Sequence, residues 1–328
     1  MKKNNFKFNS PIWLVSSDRS GSNLLLKILD NHSKICSPAM SHLIRFADKI
    51  STCSLTIAKK KLIIKKLFNS KLGYWKLKNL KKINFSNNVL KYIYYIFQKE
   101  MRLNNKEFLF IKEIELYKNY KIIKKLSNNP RFIFLTRDPR DMALSWKKTP
   151  NFRGGVLRAT SLWINNQKGF ITLKKKLNKG QFINIRYEDL IKNKKTILKK
   201  IFHFLNIDYE KNILNFYKKN ETQTMSKTQW MFNNLSKPIF RNSNKFLNEL
   251  TNNEIIYIEQ KTSKYLKKNK YKKYKKKLSQ KRFKIIEKEM IVNNDKLMNK
   301  DGYLKLSKIE KARSEKLNKV LHEIINLN

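Results

Sequence analysis

Four short apolar runs punctuate a chain that is otherwise patterned at helical spacing. They are Ile12–Ser16, Phe108–Lys112, Arg131–Thr136 and Phe182–Arg186, each followed by a polar break. Continuous apolar runs of this length predict strands buried on both faces of a parallel sheet. Between them, apolar residues recur at three- and four-residue steps. Leu24, Leu25, Ile28 and Leu29 share one face of a helix over 22–31. Further helices are predicted over 118–126, from Pro139 onwards, over 156–177, from Tyr187 to about 205, and after Thr251. Strands alternating with helices predict an α/β fold: a parallel β-sheet flanked by helices.

The intervening segments are less regular. Residues 32–38 read as a loop. Residues 40–105 carry several lysine- and aromatic-rich helices, among them 62–68 and 89–101. They suit either a helical cap over an acceptor pocket or ordinary helical packing. Residues 149–155 read as a loop, and 218–246 as a polar, loop-like stretch holding Trp230, Pro238 and Arg241. From 265 the composition turns to lysine runs (272–277) and then to helical periodicity as far as 327. The predicted organisation is one domain over 1–264, with the cap inserted at about 40–105, and a basic helical C-terminal tail over 265–328. A solvated or self-associating helix is one expectation for that tail; peripheral contact with an anionic surface is the other.

Composition adds a large charge. The 328 residues hold 74 Lys+Arg against 24 Asp+Glu, a formal net charge of +50. Such a field attracts polyanions. The lysines lie along the whole chain, together with raised asparagine and isoleucine, as an AT-rich coding sequence would write. No specific nucleic-acid interface is therefore expected. Apolar residues at 41% and aromatics at 12% fit a globular protein. The two cysteines, Cys36 and Cys53, form no ligand cluster, so no metal site is expected. Residues 1–10 are followed by no signal-type apolar region, and no run approaches the length of a spanning helix. A cytoplasmic, soluble protein is the expectation.

Two loops carry candidate chemistry. After the first strand comes Asp18-Arg19-Ser20-Gly21-Ser22-Asn23. It has neither the second glycine nor the lysine of a Walker A loop. It places an arginine before a glycine turn, with hydroxyl and amide donors at a helix N-terminus, where an anion sits well. After the third run comes Arg137-Asp138-Pro139-Arg140-Asp141. Asp138 can cap the following helix, with Pro139 at its first position and Asp141 completing a capping box. Arg137 at a strand end and Ser145 about two turns into the helix can converge on a second phosphate.

Together these motifs resemble the sulfotransferases that use 3′-phosphoadenosine 5′-phosphosulfate (PAPS). In that family an [R/K]-S-G-[T/S] loop after the first strand cradles the 5′-phosphosulfate. An R-[D/N]-P-[R/K]-[D/E] segment, with a serine at the spacing of Arg137 and Ser145, reads the 3′-phosphate. Arg186-Tyr187-Glu188-Asp189-Leu190 is similar to the family's Y-E-D-L segment, whose tyrosine lies near the adenine. The resemblance spans about 11–250 and implies the P-loop NTPase-like sulfotransferase fold. It implies PAPS as co-substrate, without a metal, held by Arg19, Ser20, Gly21, Ser22, Asn23, Arg137, Ser145 and Tyr187.

Two departures refine the expectation. Leu24 and Leu25 stand where the small-molecule branch usually places an aromatic, so the resemblance is closer to the R-S-G-[T/S] branch, which often acts on carbohydrates, lipids or peptides. The segment Ile111-Lys112-Glu113-Ile114-Glu115 lacks the histidine of the K-T-H segment. Glu113 is therefore nominated as the base that takes the acceptor's proton, with Glu115 the runner-up, and Arg19 as the catalytic cation. The acceptor is expected to be a small molecule, glycan or lipid. A P-loop-like phosphotransferase or kinase, and a polyanion-binding protein without chemistry, are the alternatives.

Overall fold

The computed structural model describes residues 7–71, 73–81, 83, 87–150, 152–228, 230–294, 303–304 and 306–327. Residues 1–6 of the N-terminal reading and 295–302 of the tail lie outside the described residues. The sheet has five parallel strands, β1 (Ile12–Ser16), β2 (Ile35–Cys36), β3 (Phe108–Lys112), β4 (Arg131–Thr136) and β5 (Phe182–Arg186), in the order β2-β3-β1-β4-β5. In register, Ile12 lies beside Phe110 on one side and Arg131 on the other. The expected strands therefore form. β2 was not expected, because two residues paired to the sheet edge leave no readable apolar run.

Successive side chains leave a strand on opposite faces, and both faces are covered. Trp13, Val15, Ile111, Phe132 and Phe134 enter one core with α2 (Leu43–Thr52), α3 (Ile57–Asn69) and α4 (Val89–Leu103). Ile12, Leu14, Phe110, Ile133 and Leu135 enter the other with α1 (Ser22–Asp30) and α9 (Lys194–Leu205). Helices α2 to α4 thus build one sheet face, and the start of α2 reaches the strand ends. The short helix α5 (Tyr120–Leu126) leads into β4.

A third core joins α6 (Pro139–Lys147), α7 (Gly155–Lys174), α12 (Asn252–Lys268) and α13 (Gln280–Asn294) through Met142, Trp163, Phe246, Ile258 and Phe283. Residue 264, the expected domain limit, falls inside α12. Thr251 and Glu254 form a reciprocal capping box that starts this helix.

Three expectations are corrected. The helix expected from Tyr187 to 205 is two, α8 (Tyr187–Lys192) and α9, broken at Asn193. The 218–246 stretch is loop-like only over 237–245; the part before it is helical. It holds α10 (Asn220–Thr228), a 3-10 turn at Trp230–Ser236 and α11 (Phe246–Glu249), anchored by buried Met225, Phe232 and Leu235. Asp138 caps α6 by accepting from the Arg140 amide at 2.9 Å, but Asp141 does not complete a capping box. Its carboxylate accepts the amides of Asn244 (2.6 Å) and Phe246 (3.1 Å), tying down a loop distant in sequence.

The basic tail folds back on the protein. Helix α14 (Lys308–Ile325) starts at a Ser307–Glu310 capping box and buries Val320 and Ile324 in the core of α2 to α4. Lys49 Nζ donates to the Ile325 carbonyl at 2.6 Å, and Lys66 pairs with Glu323 at 2.8 Å. Among the described residues no helix is long and apolar enough to cross a membrane.

Candidate active site

The crevice beyond the carboxyl ends of β1, β3 and β4 is where an open parallel sheet receives ligands. The chain leaves β1 through buried Ser17 and half-buried Asp18 and Arg19. Arg19 (φ 59°) and Gly21 (φ 83°) both lie in the left-handed region, and they turn the backbone into the N-terminus of α1 at Ser22. Only glycine fits at 21 for a second reason: a Cβ there would fall 2.3 Å from Cδ2 of Tyr187. The Tyr187 ring, delivered by the first turn of α8, therefore packs directly on the loop.

The two arginine loops are joined. Arg137 Nη1 donates to the Arg19 carbonyl at 2.9 Å, and Nη2 donates to the Asn242 carbonyl at 3.1 Å. Its guanidinium carbon stands 4.6 Å from the centre of the Tyr187 ring. Arg19 Nε donates to Ser145 Oγ at 3.1 Å. The Ser20 hydroxyl and Arg137 Nε are buried, and neither has a hydrogen-bond partner among the described residues. Two partnerless buried donors beside two coupled arginines form a cradle suited to anionic oxygens.

The frame behind this cradle is polar and satisfied. Trp163 Nε1 donates to the Arg137 carbonyl at 3.0 Å. The Asp138 amide donates to Glu188 Oε1 at 2.8 Å, whose other oxygen accepts the Tyr271 hydroxyl at 3.0 Å. Arg140 turns away from the crevice into an ion network with Asp138 and Glu259. Glu259 also receives the amides of Tyr274 and Lys275, so the 272–277 lysine run begins as a strapped loop.

The crevice opens into a cavity of about 410 Å³. Arg19, Gly21, Ser22, Asn23, Arg137, Ser145 and Tyr187 all line it. Lys112, at the end of β3, hydrogen-bonds the Asn23 amide oxygen. Burial lowers its ammonium to about 8, with Asp18 opposing and Arg19 adding to the shift. Burial and then Arg137 lower Arg19 to about 10, so it stays charged at neutral pH. Burial raises Asp18 above the usual carboxylate range.

The two glutamates nominated from sequence do not line the cavity. Glu113 is 2% exposed, and its carboxylate accepts the Ser41 amide (3.4 Å), the Ser41 hydroxyl (3.2 Å) and the His42 amide (3.0 Å). Burial raises it to about 7. Glu115 points outward to Arg45 and Lys118. The residue on the cavity side of this cluster is His42, held at φ 62° by the grip of Glu113 on its amide. His42 Nδ1 is buried without a hydrogen-bond partner among the described residues, and burial, then Arg45 and Lys112, lower the imidazole to about 3. Sequence reasoning missed His42 because a lone histidine before an apolar helix carries no motif. Its only signal is a polar pair, Ser41-His42, ahead of the periodicity of α2.

No curated protein matches the sequence. Among solved structures the chain is similar to the sulfotransferase domain from the curacin biosynthetic pathway, at 18% identity and a TM-score of 0.57. That likeness covers 81% of this chain and 99% of that domain. It is also similar to the sulfotransferase domain from the Synechococcus PCC 7002 olefin synthase, at 17% identity and a TM-score of 0.57, covering 83% of this chain and 98% of that domain. At these identities the likeness is one of fold. The model of the sulfotransferase family matches residues 11–211, a segment that holds all five strands, both arginine loops and Tyr187, and the chain belongs to that family.

Proposed function

We propose that the protein transfers a sulfuryl group from PAPS to a hydroxyl or amine of an acceptor. The observation that carries this assignment is the hydrogen bond from Arg137 to the Arg19 carbonyl. It fixes two anion-binding arginines at one cavity mouth, as a ligand with a 5′- and a 3′-phosphate requires. The unpartnered Ser20 hydroxyl and Arg137 Nε supply donors for such a ligand, and the Tyr187 ring supplies a face beside them.

When bound, PAPS supplies a sulfuryl group activated as a phosphate–sulfate anhydride. Arg19 and Lys112 then neutralise the charge that grows on the bridging oxygen as the sulfur–oxygen bond breaks. The acceptor oxygen forms the new bond to sulfur and gives up its proton. His42 is the residue nominated to receive that proton: it lines the cavity, is neutral, and has a ring nitrogen without a hydrogen-bond partner among the described residues. Glu113 acts through His42, by fixing its backbone. Positioning and electrostatics carry the rest, as in phosphoryl transfer.

The direct test is a calorimetric titration with adenosine 3′,5′-bisphosphate and with ATP at two salt concentrations. Tight binding of the bisphosphate, preferred over ATP, supports the assignment. Salt-sensitive binding of any polyanion without that preference overturns it. Arg137→Ala should weaken bisphosphate binding by roughly 10- to 100-fold, the worth of a charged hydrogen bond in a desolvated site. Its kcat at saturation should fall much less.

The pH profile separates the two base assignments. With His42 as base, kcat holds steady on the acid side through pH 7, because the imidazole is already neutral far below it. With Glu113 as base, kcat halves near pH 7, as the carboxylate takes up its proton. In either case kcat should decline as pH rises through about 8 and Lys112 loses its charge.

A further inference from the structure

The family-matched segment ends at residue 211, yet the chain beyond it meets the site in two places. Helix α14 lines one side of the cavity with Glu310, Arg313, Leu317 and Leu321. The loop after α12 does not line the cavity; it lies behind the second arginine loop. There Lys270 (φ 58°) takes the left-handed position that ends a helix, and the Tyr271 amide closes back on the Leu266 carbonyl at 2.9 Å. Asn269 Nδ2 ties the same turn to Gln167 Oε1 of α7 at 3.1 Å. The reversal sends the Tyr271 side chain inward, where it is 6% exposed. On its far side the loop is held by Arg140 at the Lys272 carbonyl and by Glu259 at the Tyr274 and Lys275 amides.

The Tyr271 ring centre stands 4.5 Å from the guanidinium carbon of Arg186, and its hydroxyl donates to Glu188 Oε2 at 3.0 Å. The other Glu188 oxygen accepts the Asp138 amide at 2.8 Å, while the Arg137 carbonyl accepts the Trp163 indole at 3.0 Å. The peptide between Arg137 and Asp138 is thus gripped on both edges. A peptide held that way cannot tilt, which fixes the direction in which the Arg137 side chain leaves the backbone. That side chain carries Nε, a buried donor with no partner among the described residues. We propose that Tyr271 is a positioning residue for the 3′-phosphate of the nucleotide: through Glu188 and the Asp138 amide it sets the aim of Arg137. This rests on the PAPS assignment above, in which Arg137 reads that phosphate. Without the hydroxyl, one Glu188 oxygen is left buried and short of a partner, and the grip on the Asp138 amide slackens.

The test is calorimetry on the full chain with adenosine 3′,5′-bisphosphate and adenosine 5′-monophosphate, which differ only in the 3′-phosphate. Tyr271→Phe keeps the ring beside Arg186 and removes one hydroxyl. Its affinity for the bisphosphate should fall roughly five- to tenfold, the lower end of what an unpaired buried acceptor costs, while that for the monophosphate changes less than about twofold. Glu188→Gln keeps an oxygen for the Asp138 amide and offers its amino group to the Tyr271 oxygen, so it should retain the wild-type preference for the bisphosphate. Glu188→Ala should lose that preference as Tyr271→Phe does. A role in stability alone would lower the urea midpoint of Tyr271→Phe and leave the ratio of the two affinities where it was. The proposal is overturned if that ratio is unchanged in Tyr271→Phe, if both affinities fall together, or if Glu188→Gln loses the preference. A wild-type protein that binds the bisphosphate no better than the monophosphate would instead remove the nucleotide assignment, and this proposal with it.

Discussion

Arg19→Ala should lower kcat by about a thousandfold, the usual cost of removing a donor aimed at developing charge, while the dissociation constant for adenosine 3′,5′-bisphosphate changes less than tenfold. The split follows from geometry. The Arg19 carbonyl is what Arg137 grips, and a carbonyl survives the substitution. The guanidinium is lost, and with it the contact to Ser145 and the cation proposed for the bridging oxygen. Arg19→Lys restores a charge but not the planar fork, so it should recover only part of the loss. Single-turnover kinetics with labelled PAPS, read beside calorimetry, checks both halves. Equal losses of binding and turnover in both the Arg19 and Arg137 variants would show that the two arginines act as one anion clamp rather than in separate roles.

Arg140→Ala should cost about 3–5 kcal/mol of stability, the range for breaking a buried ion pair from one side. Arg140 is 1% exposed. Its guanidinium binds Asp138 through Nε and Nη2, reaches Glu259 and the Lys272 carbonyl through Nη1, and lies 4.3 Å from the centre of the Phe246 ring. Alanine would leave the Asp138 and Glu259 carboxylates buried with no cation between them. It would also release the loop that Glu259 straps at Tyr274 and Lys275. A urea midpoint checks the value. Lys148→Ala is the contrast: it removes an exposed partner of Glu249 and should cost well under about 1 kcal/mol. Because Asp138 also caps α6, Arg140→Ala should weaken nucleotide binding as well, without touching any cavity-lining residue.

Much of the fold was legible because its strands are doubly buried. Trp13 and Val15 serve one core and Ile12 and Leu14 the other, so positions 12–15 admit no polar residue and the run reads as a strand. The loops after β1 and β4 were legible because their turns need particular residues: a glycine under Tyr187, and an aspartate–proline pair to start α6. The rest lacked such local signatures. Met225, Phe232 and Leu235 are too widely spaced to announce elements between 218 and 246. Asp141 sits where a capping box needs an acid, yet its partners lie far off in sequence, and local pattern cannot rank a distant partner above a near one. Glu113 and His42 show the same limit from the other side. An acid beside Lys112 at a strand end looks reactive in one dimension; in three, the chain folds Ser41 and His42 onto it and presents the histidine instead. The amphipathic stripes of α14 were visible as periodicity, but not the surface they would meet.

The distance in sequence between the two sides of the cavity also orders events during synthesis. β5 completes the sheet at Arg186, and Leu317 and Leu321 emerge from the ribosome roughly 130 residues later, on the order of ten seconds at ordinary elongation rates. A nascent chain can therefore assemble its sheet and both arginine loops before the α14 side of the cavity exists. The sheet side of the cavity thus precedes its helical side.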